Sequence, residues 1–133
     1  MTDRRREELQ VPGLSTPISH YANAVRFGDL VFVSGLTAHD EHDRLVGEGD
    51  ALAQTEKILA NLDRVLQSVG ATARDVLKVT VYLVNVDDRT RINPARQAFF
   101  GDARPASTLV EVSRLALPGM LVEIEAVVGI PTP

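Results

Sequence analysis

The chain contains no cysteine. That excludes disulfides, thiolate zinc sites, iron–sulfur clusters and a cysteine nucleophile together, and leaves no cysteine evidence for an oxidising compartment. It also lacks a basic surplus: 14 Lys+Arg stand against 18 Asp+Glu, a formal net charge of −4. Nucleic-acid surfaces are built on cationic excess, so no nucleic-acid partner is expected. No apolar run approaches the ~20 residues of a membrane helix, and no membrane association is expected. The first ten residues carry cations with no apolar segment behind them. This is not a secretory signal pattern, and the expected location is the cytoplasm. Phosphate-binding glycine loops, the Gly-x-Ser-x-Gly nucleophile turn and His-Glu-x-x-His are all missing.

What remains is a chain of 133 residues, 44% hydrophobic and 24% charged, the size and balance of one soluble domain. Residues 1–13 are charged and end at Pro12-Gly13, which reads as a flexible arm before a single domain over 14–133. Two apolar runs within 24–35, parted by Gly28-Asp29, predict a β-hairpin. Over 51–69, Leu52, Thr55, Ile58, Leu59, Leu62, Val65, Leu66 and Val69 recur at helical steps. Gln54, Lys57, Asn61, Asp63 and Gln67 fall to the other side of that helix, which Asp50 caps and Gly70 ends. A strand over 76–86 is apolar on both faces, with Leu77, Val79, Val81 and Leu83 on one of them. A second helix follows over 88–100, with Pro94 in its first turns, then strands over 107–113 and 121–130. The order ββαβαββ predicts an α+β fold, a mixed β-sheet with two helices on one face. Two helices cannot cover both faces of such a sheet. The row Val122, Ile124, Ala126, Val128 and Ile130 is therefore expected at an interface between copies of the chain.

Chemistry-bearing residues are few. Glu123 and Glu125 share one face of a strand, either as a solvent-facing row or inside a cleft, with Glu111 in a neighbouring strand. Arg26, Lys78 and Arg114 are candidate counter-charges. His39 and His42 frame a His-Asp-Glu-His run whose spacing matches no metal-ligand set, so it reads as a solvated polar loop and no metal is expected. Ser34-Gly35 ends a strand and Asn93 opens a helix; each suits a ligand hydrogen bond or a plain turn or cap.

Four stretches together resemble the YjgF/RidA/L-PSP family, the reactive-intermediate (enamine/imine) deaminases, over about Ile18 to Val128. They are Tyr21 with Gly28-Asp29-Leu30-Val31-Phe32-Val33-Ser34-Gly35; Gln54-Thr55 through Asn61-Leu62 to Gly70; Val76 to Leu83 with Asn93 and Phe99-Phe100; and Arg104-Pro105-Ala106-Ser107-Thr108-Leu109-Val110-Glu111-Val112 with Leu121-Val122-Glu123-Ile124-Glu125-Ala126. The resemblance implies a chorismate-mutase-like fold, a homotrimer with ligand clefts between subunits, and no cofactor. It implies hydrolysis of small enamines or imines such as 2-aminoacrylate to keto acids and ammonia. By position, Glu123 and Tyr21 take the catalytic places, Glu123 orienting the attacking water and Tyr21 bordering the cleft. Ser34, Gly35, Asn93 and Ser107 take the substrate-binding places.

The chain departs from the deaminase branch at Ser107, where that branch carries a carboxylate-binding arginine; Ser19-His20-Tyr21-Ala22-Asn23 departs as well. A serine hydroxyl in place of a two-pronged guanidinium forgoes about 1.5–3 kcal/mol, about ten- to hundred-fold in binding. Arg104 stands three positions away with Pro105 between, an odd step that turns it to the other side of the strand. Two expectations follow: a RidA-like hydrolase that deaminates a small enamine or imine, or a non-catalytic trimer of the same family that binds a small molecule.

Overall fold

The computed structural model describes residues 6–131. Its elements are β1 (Arg6–Leu9), β2 (Ala24–Phe27), β3 (Leu30–Leu36), α1 (Ala51–Ser68), β4 (Val76–Leu83), α2 (Arg89–Phe100), β5 (Ala106–Glu111) and β6 (Val122–Gly129). The six strands form one mixed sheet in the order β1-β2-β3-β6-β4-β5, parallel only between β4 and β5. Both helices lie on one face of it, as the alternation of elements predicts.

The β2–β3 hairpin turns at Gly28, whose φ of +62° suits a residue without a Cβ. α1 starts where the Asp50 carboxylate accepts the Ala53 amide at 3.0 Å. Ile58, Leu59, Leu62, Val65 and Leu66 press its inner stripe onto the sheet. A 3-10 turn, Val86–Asp88, precedes α2, and Pro94 is the sixth residue of that helix, in its second turn and just past the four opening residues whose N–H groups lack a helical partner.

Four expectations need correction. The expected arm takes part in the fold: Arg6–Leu9 pair with Phe27–Ala24, and Val11 is buried in the core; residues 1–5 lie outside the described residues. Val122, Ile124, Ala126 and Val128 do not wait for another subunit, because they are the row that the helices cover. The face left open carries Leu30 and Phe32 of β3, Lys78, Thr80 and Tyr82 of β4, and Glu123, Glu125 and Val127 of β6. Leu77 does not join Val79, Val81 and Leu83 under the helices. A register shift between Val76 and Lys78 turns it outward, half exposed. Gln54 and Asn61 are buried instead of solvated.

The reason for that burial is backbone satisfaction. The Gln54 amide donates to the carbonyls of Gly47 (3.2 Å) and Gly119 (2.9 Å) and accepts from the Leu121 amide (2.9 Å). Asn61 donates to the carbonyls of Thr37 (3.0 Å) and His39 (3.1 Å). Each side chain holds an irregular segment, and both segments border the cleft described next.

Candidate functional site

A cleft of about 680 Å³ opens at the end of β3. Its walls come from the segment Leu14–Tyr21, from Ser34–Thr37, from the loop containing Ala116, Leu117 and Met120, and from Glu123. The local cause is a bulge. Between Val33↔Ala126 and Leu36↔Ile124, three steps along β3 match two along β6. Ser34 and Gly35 occupy the extra length, and such bulges re-aim side chains at sites. β3 therefore continues past Ser34-Gly35, where the sequence predicts its end.

Gly35 lets the Glu123 side chain lie close against the backbone of β3. A Cβ there would overlap the carboxylate of Glu123, which lies directly across the backbone. Ser34 donates to the Ala22 carbonyl at 2.7 Å and so ties β3 to the segment carrying Tyr21. The Tyr21 hydroxyl, at the cleft mouth, accepts from the Ile18 amide at 3.3 Å.

Glu123 is half-buried, and burial pushes its carboxyl above the usual carboxylate range, with the neighbouring Glu125 charge adding to the shift. No ion pair among the described residues includes Glu123. Glu125, two positions on, is exposed and accepts from the Tyr82 hydroxyl at 2.8 Å, a bond that holds the phenol above its ordinary pKa. The two carboxylates share a face and have different surroundings: Glu123 enters the cleft and Glu125 lies on the open sheet. The candidate counter-charges point elsewhere, Arg26 to the Gly28 carbonyl and Lys78 to the Thr108 hydroxyl. Glu111 caps the turn after β4 by accepting from the Val86 amide. A half-buried, unpaired carboxylate at a cleft wall can hold a water and take its proton as that water attacks.

The remaining site candidates lie elsewhere on the chain. Asn93, on α2, borders a second cavity of about 560 Å³ together with Arg96, Gln97, Phe100, Arg104 and Pro105. Ser107, on edge strand β5, faces the helix side, where it accepts from Arg96 Nη2 at 2.8 Å. Arg104 lines the same cavity as Asn93. The chain thus gathers Tyr21, Ser34, Gly35 and Glu123 in one cleft, and separately Asn93 with the surroundings of Ser107.

His39 is not the solvated loop residue that the His-Asp-Glu-His run predicts. It is buried on the cleft wall, its Nδ1 sharing a 2.7 Å hydrogen bond with the Thr37 hydroxyl. The loop closes through a bridge between His39 and Leu45, and Asp40 Oδ1 accepts from the amides of His42 and Arg44. Among the described residues, no three His, Asp or Glu side chains gather at metal-ligand distances. Sequence reading placed His39 in a solvated loop and Asn61 on the polar side of α1, and did not single out Arg96. Helical spacing puts Asn61 on the solvated side of α1, so its burial left no signal within that element.

Residues 13–130 match the family described as endoribonuclease L-PSP, and the chain belongs to this YjgF/RidA/L-PSP family. It is 37% identical to a RutC family protein of Pyrococcus abyssi over 111 residues, 84% of this chain and 87% of that one. It is 33% identical to the 3-aminoacrylate deaminase RutC of Acinetobacter baylyi over 122 residues, 91% of this chain and 96% of that one. Among solved structures, RidA from an Antarctic Psychrobacter superposes with a TM-score of 0.86 at 28% identity, covering 93% of this chain and 99% of that one. The family thus contains enamine/imine deaminases, and no helix among the described residues is long and apolar enough to cross a membrane.

Proposed function

We propose that the protein hydrolyses a small enamine or imine metabolite to a carbonyl compound and ammonia in the cleft beside Glu123. The observation that carries this reading is the half-buried Glu123 carboxylate, in no ion pair among the described residues and lying over Gly35 at the cleft wall. The enamine enters as its imine tautomer. Glu123 takes a proton from a water whose oxygen bonds to the imine carbon, and the C=N electron pair moves to nitrogen with a proton. The carbinolamine then collapses: the proton held by Glu123 passes to the nitrogen, the C–N bond breaks, the hydroxyl loses its proton to water as the C=O forms, and ammonia leaves. Tyr21 borders the cleft, Ser34 and Gly35 shape its floor, and no cofactor is required by these steps.

The active unit in this proposal is a cytoplasmic homotrimer. A trimer buries the open sheet face with Phe32 and Val127, and joins the Glu123 cleft of one subunit to the Asn93 and Ser107 region of another. Ser107 in place of an arginine marks a branch that holds its substrate differently. RNA cleavage, which the family's description names, is not part of the proposal, since a net charge of −4 opposes phosphate-backbone binding.

The test is ammonia release from enzymatically generated 2-aminoacrylate, from 3-aminoacrylate and from an uncharged imine. Release from at least one of them above the uncatalysed rate is expected. No release from any of the three would leave the second reading, a small-molecule-binding trimer favoured by the neutral Ser107 hydroxyl.

A further inference from the structure

The Arg96 guanidinium has five N–H donors and a fixed charge. One donor is spent on the neutral Ser107 hydroxyl at 2.8 Å. None of the ion pairs among the described residues includes Arg96. The side chain is nevertheless partly buried, and burial acts against its charged form. A guanidinium set in this way lacks its natural counterpart. The cavity it lines carries a second cation, Arg104, against one carboxylate, Asp102, and offers the Asn93 and Gln97 amides as further polar groups.

We propose that Arg96 is the carboxylate anchor of this protein, with Ser107 as the positioning residue that fixes the guanidinium, and that the ligand taken here is a small monocarboxylate. The donors not used on Ser107 present the planar fork that suits a carboxylate. Among the described residues, the Ser107 hydroxyl is the side-chain hydrogen-bond partner that Arg96 has. The inference rests on the proposed function in naming the substrate class, a carboxylated imine or enamine, yet the binding site itself can be measured without turnover.

The experiment titrates the full-length protein with 2-oxobutanoate, with its methyl ester and with inorganic phosphate, read by calorimetry. Wild type is expected to bind the acid more tightly than the ester or phosphate. Arg96→Gln is expected to weaken the acid by about ten- to hundred-fold and to leave the ester unchanged. Arg96→Lys, which keeps the charge and loses the fork, is expected to fall between and serves if the glutamine variant does not fold. Ser107→Ala should weaken the acid by less than Arg96→Gln, and Arg96→Ser with Ser107→Arg should recover it. Arg96→Gln binding the acid as wild type does, or wild type not distinguishing acid from ester, overturns the proposal. Phosphate binding more tightly than the acid overturns the carboxylate assignment. Acid binding that depends on Arg96 in a protein releasing no ammonia would sink the catalytic reading and leave the anchor standing.

Discussion

Replacing Glu123 with glutamine is expected to lower imine turnover by about 10²–10⁴-fold, the usual loss of a general base, while the chain stays folded. The amide keeps the shape that lies over Gly35 and cannot accept the proton of the attacking water. The pH profile supplies a second reading. Burial first, and the Glu125 charge second, raise the Glu123 pKa. The base must be ionised, so the acid limb of kcat/KM in wild type should lie above the ordinary carboxylate range, and Glu123→Gln should lose that limb. Stability follows with the opposite sign. A carboxyl whose folded pKa is raised contributes stability fully below its unfolded pKa of about 4.3, and that contribution is lost as pH rises through the folded value. At neutral pH the ionised Glu123 therefore costs stability, and the glutamine variant should unfold at no lower a urea concentration than wild type. Full turnover in Glu123→Gln would remove the carboxylate from the mechanism. A lower urea midpoint would mean that its charge has a partner.

The parts of this molecule that were readable in the sequence are those set by short-range pattern. The hairpin at Gly28-Asp29, the apolar stripe of α1, its Asp50 cap and the paired carboxylates on β6 all follow from spacing within one element. What was not readable depends on how elements meet. The alternation of Val122 through Ile130 shows that one face is apolar, but not whether helices or a second subunit cover it. The bulges at Ser34-Gly35 and Leu77 arise from pairing with β6, and nothing in β3 or β4 alone marks them. Gln54 and Asn61 look like solvated helix positions until the loops that need their amides fold against α1. Resemblance carried Glu123, Tyr21, Ser34 and Gly35 to neighbouring places in one cleft. It could not supply Arg96, whose significance comes from a contact between α2 and β5.

Ile124→Asp is expected to unfold the chain, and Phe32→Asp to leave it folded but dissociated. Ile124 and Phe32 belong to adjacent strands and opposite faces of the sheet. Ile124 is 2% exposed beneath the helices, whereas Phe32 is 48% exposed on the open face. An aspartate at Ile124 buries a charge with no partner, at a cost of several kcal/mol against a total stability of about 5–15 kcal/mol. No assembly can offset that, because the damage lies inside each subunit. An aspartate at Phe32 meets water in the separated chain and costs little there. In the proposed trimer it would face the apolar surface of a neighbour, and the interface would carry the penalty. Circular dichroism should therefore show a lost fold for Ile124→Asp and a retained one for Phe32→Asp. Sedimentation should give wild type near 43.5 kDa, three times the 14.5 kDa chain, and Phe32→Asp near the single-chain mass. A wild-type monomer at micromolar concentration would refute the trimer and the shared cleft with it. A Phe32→Asp trimer as stable as wild type would place the interface on a surface other than the open sheet face.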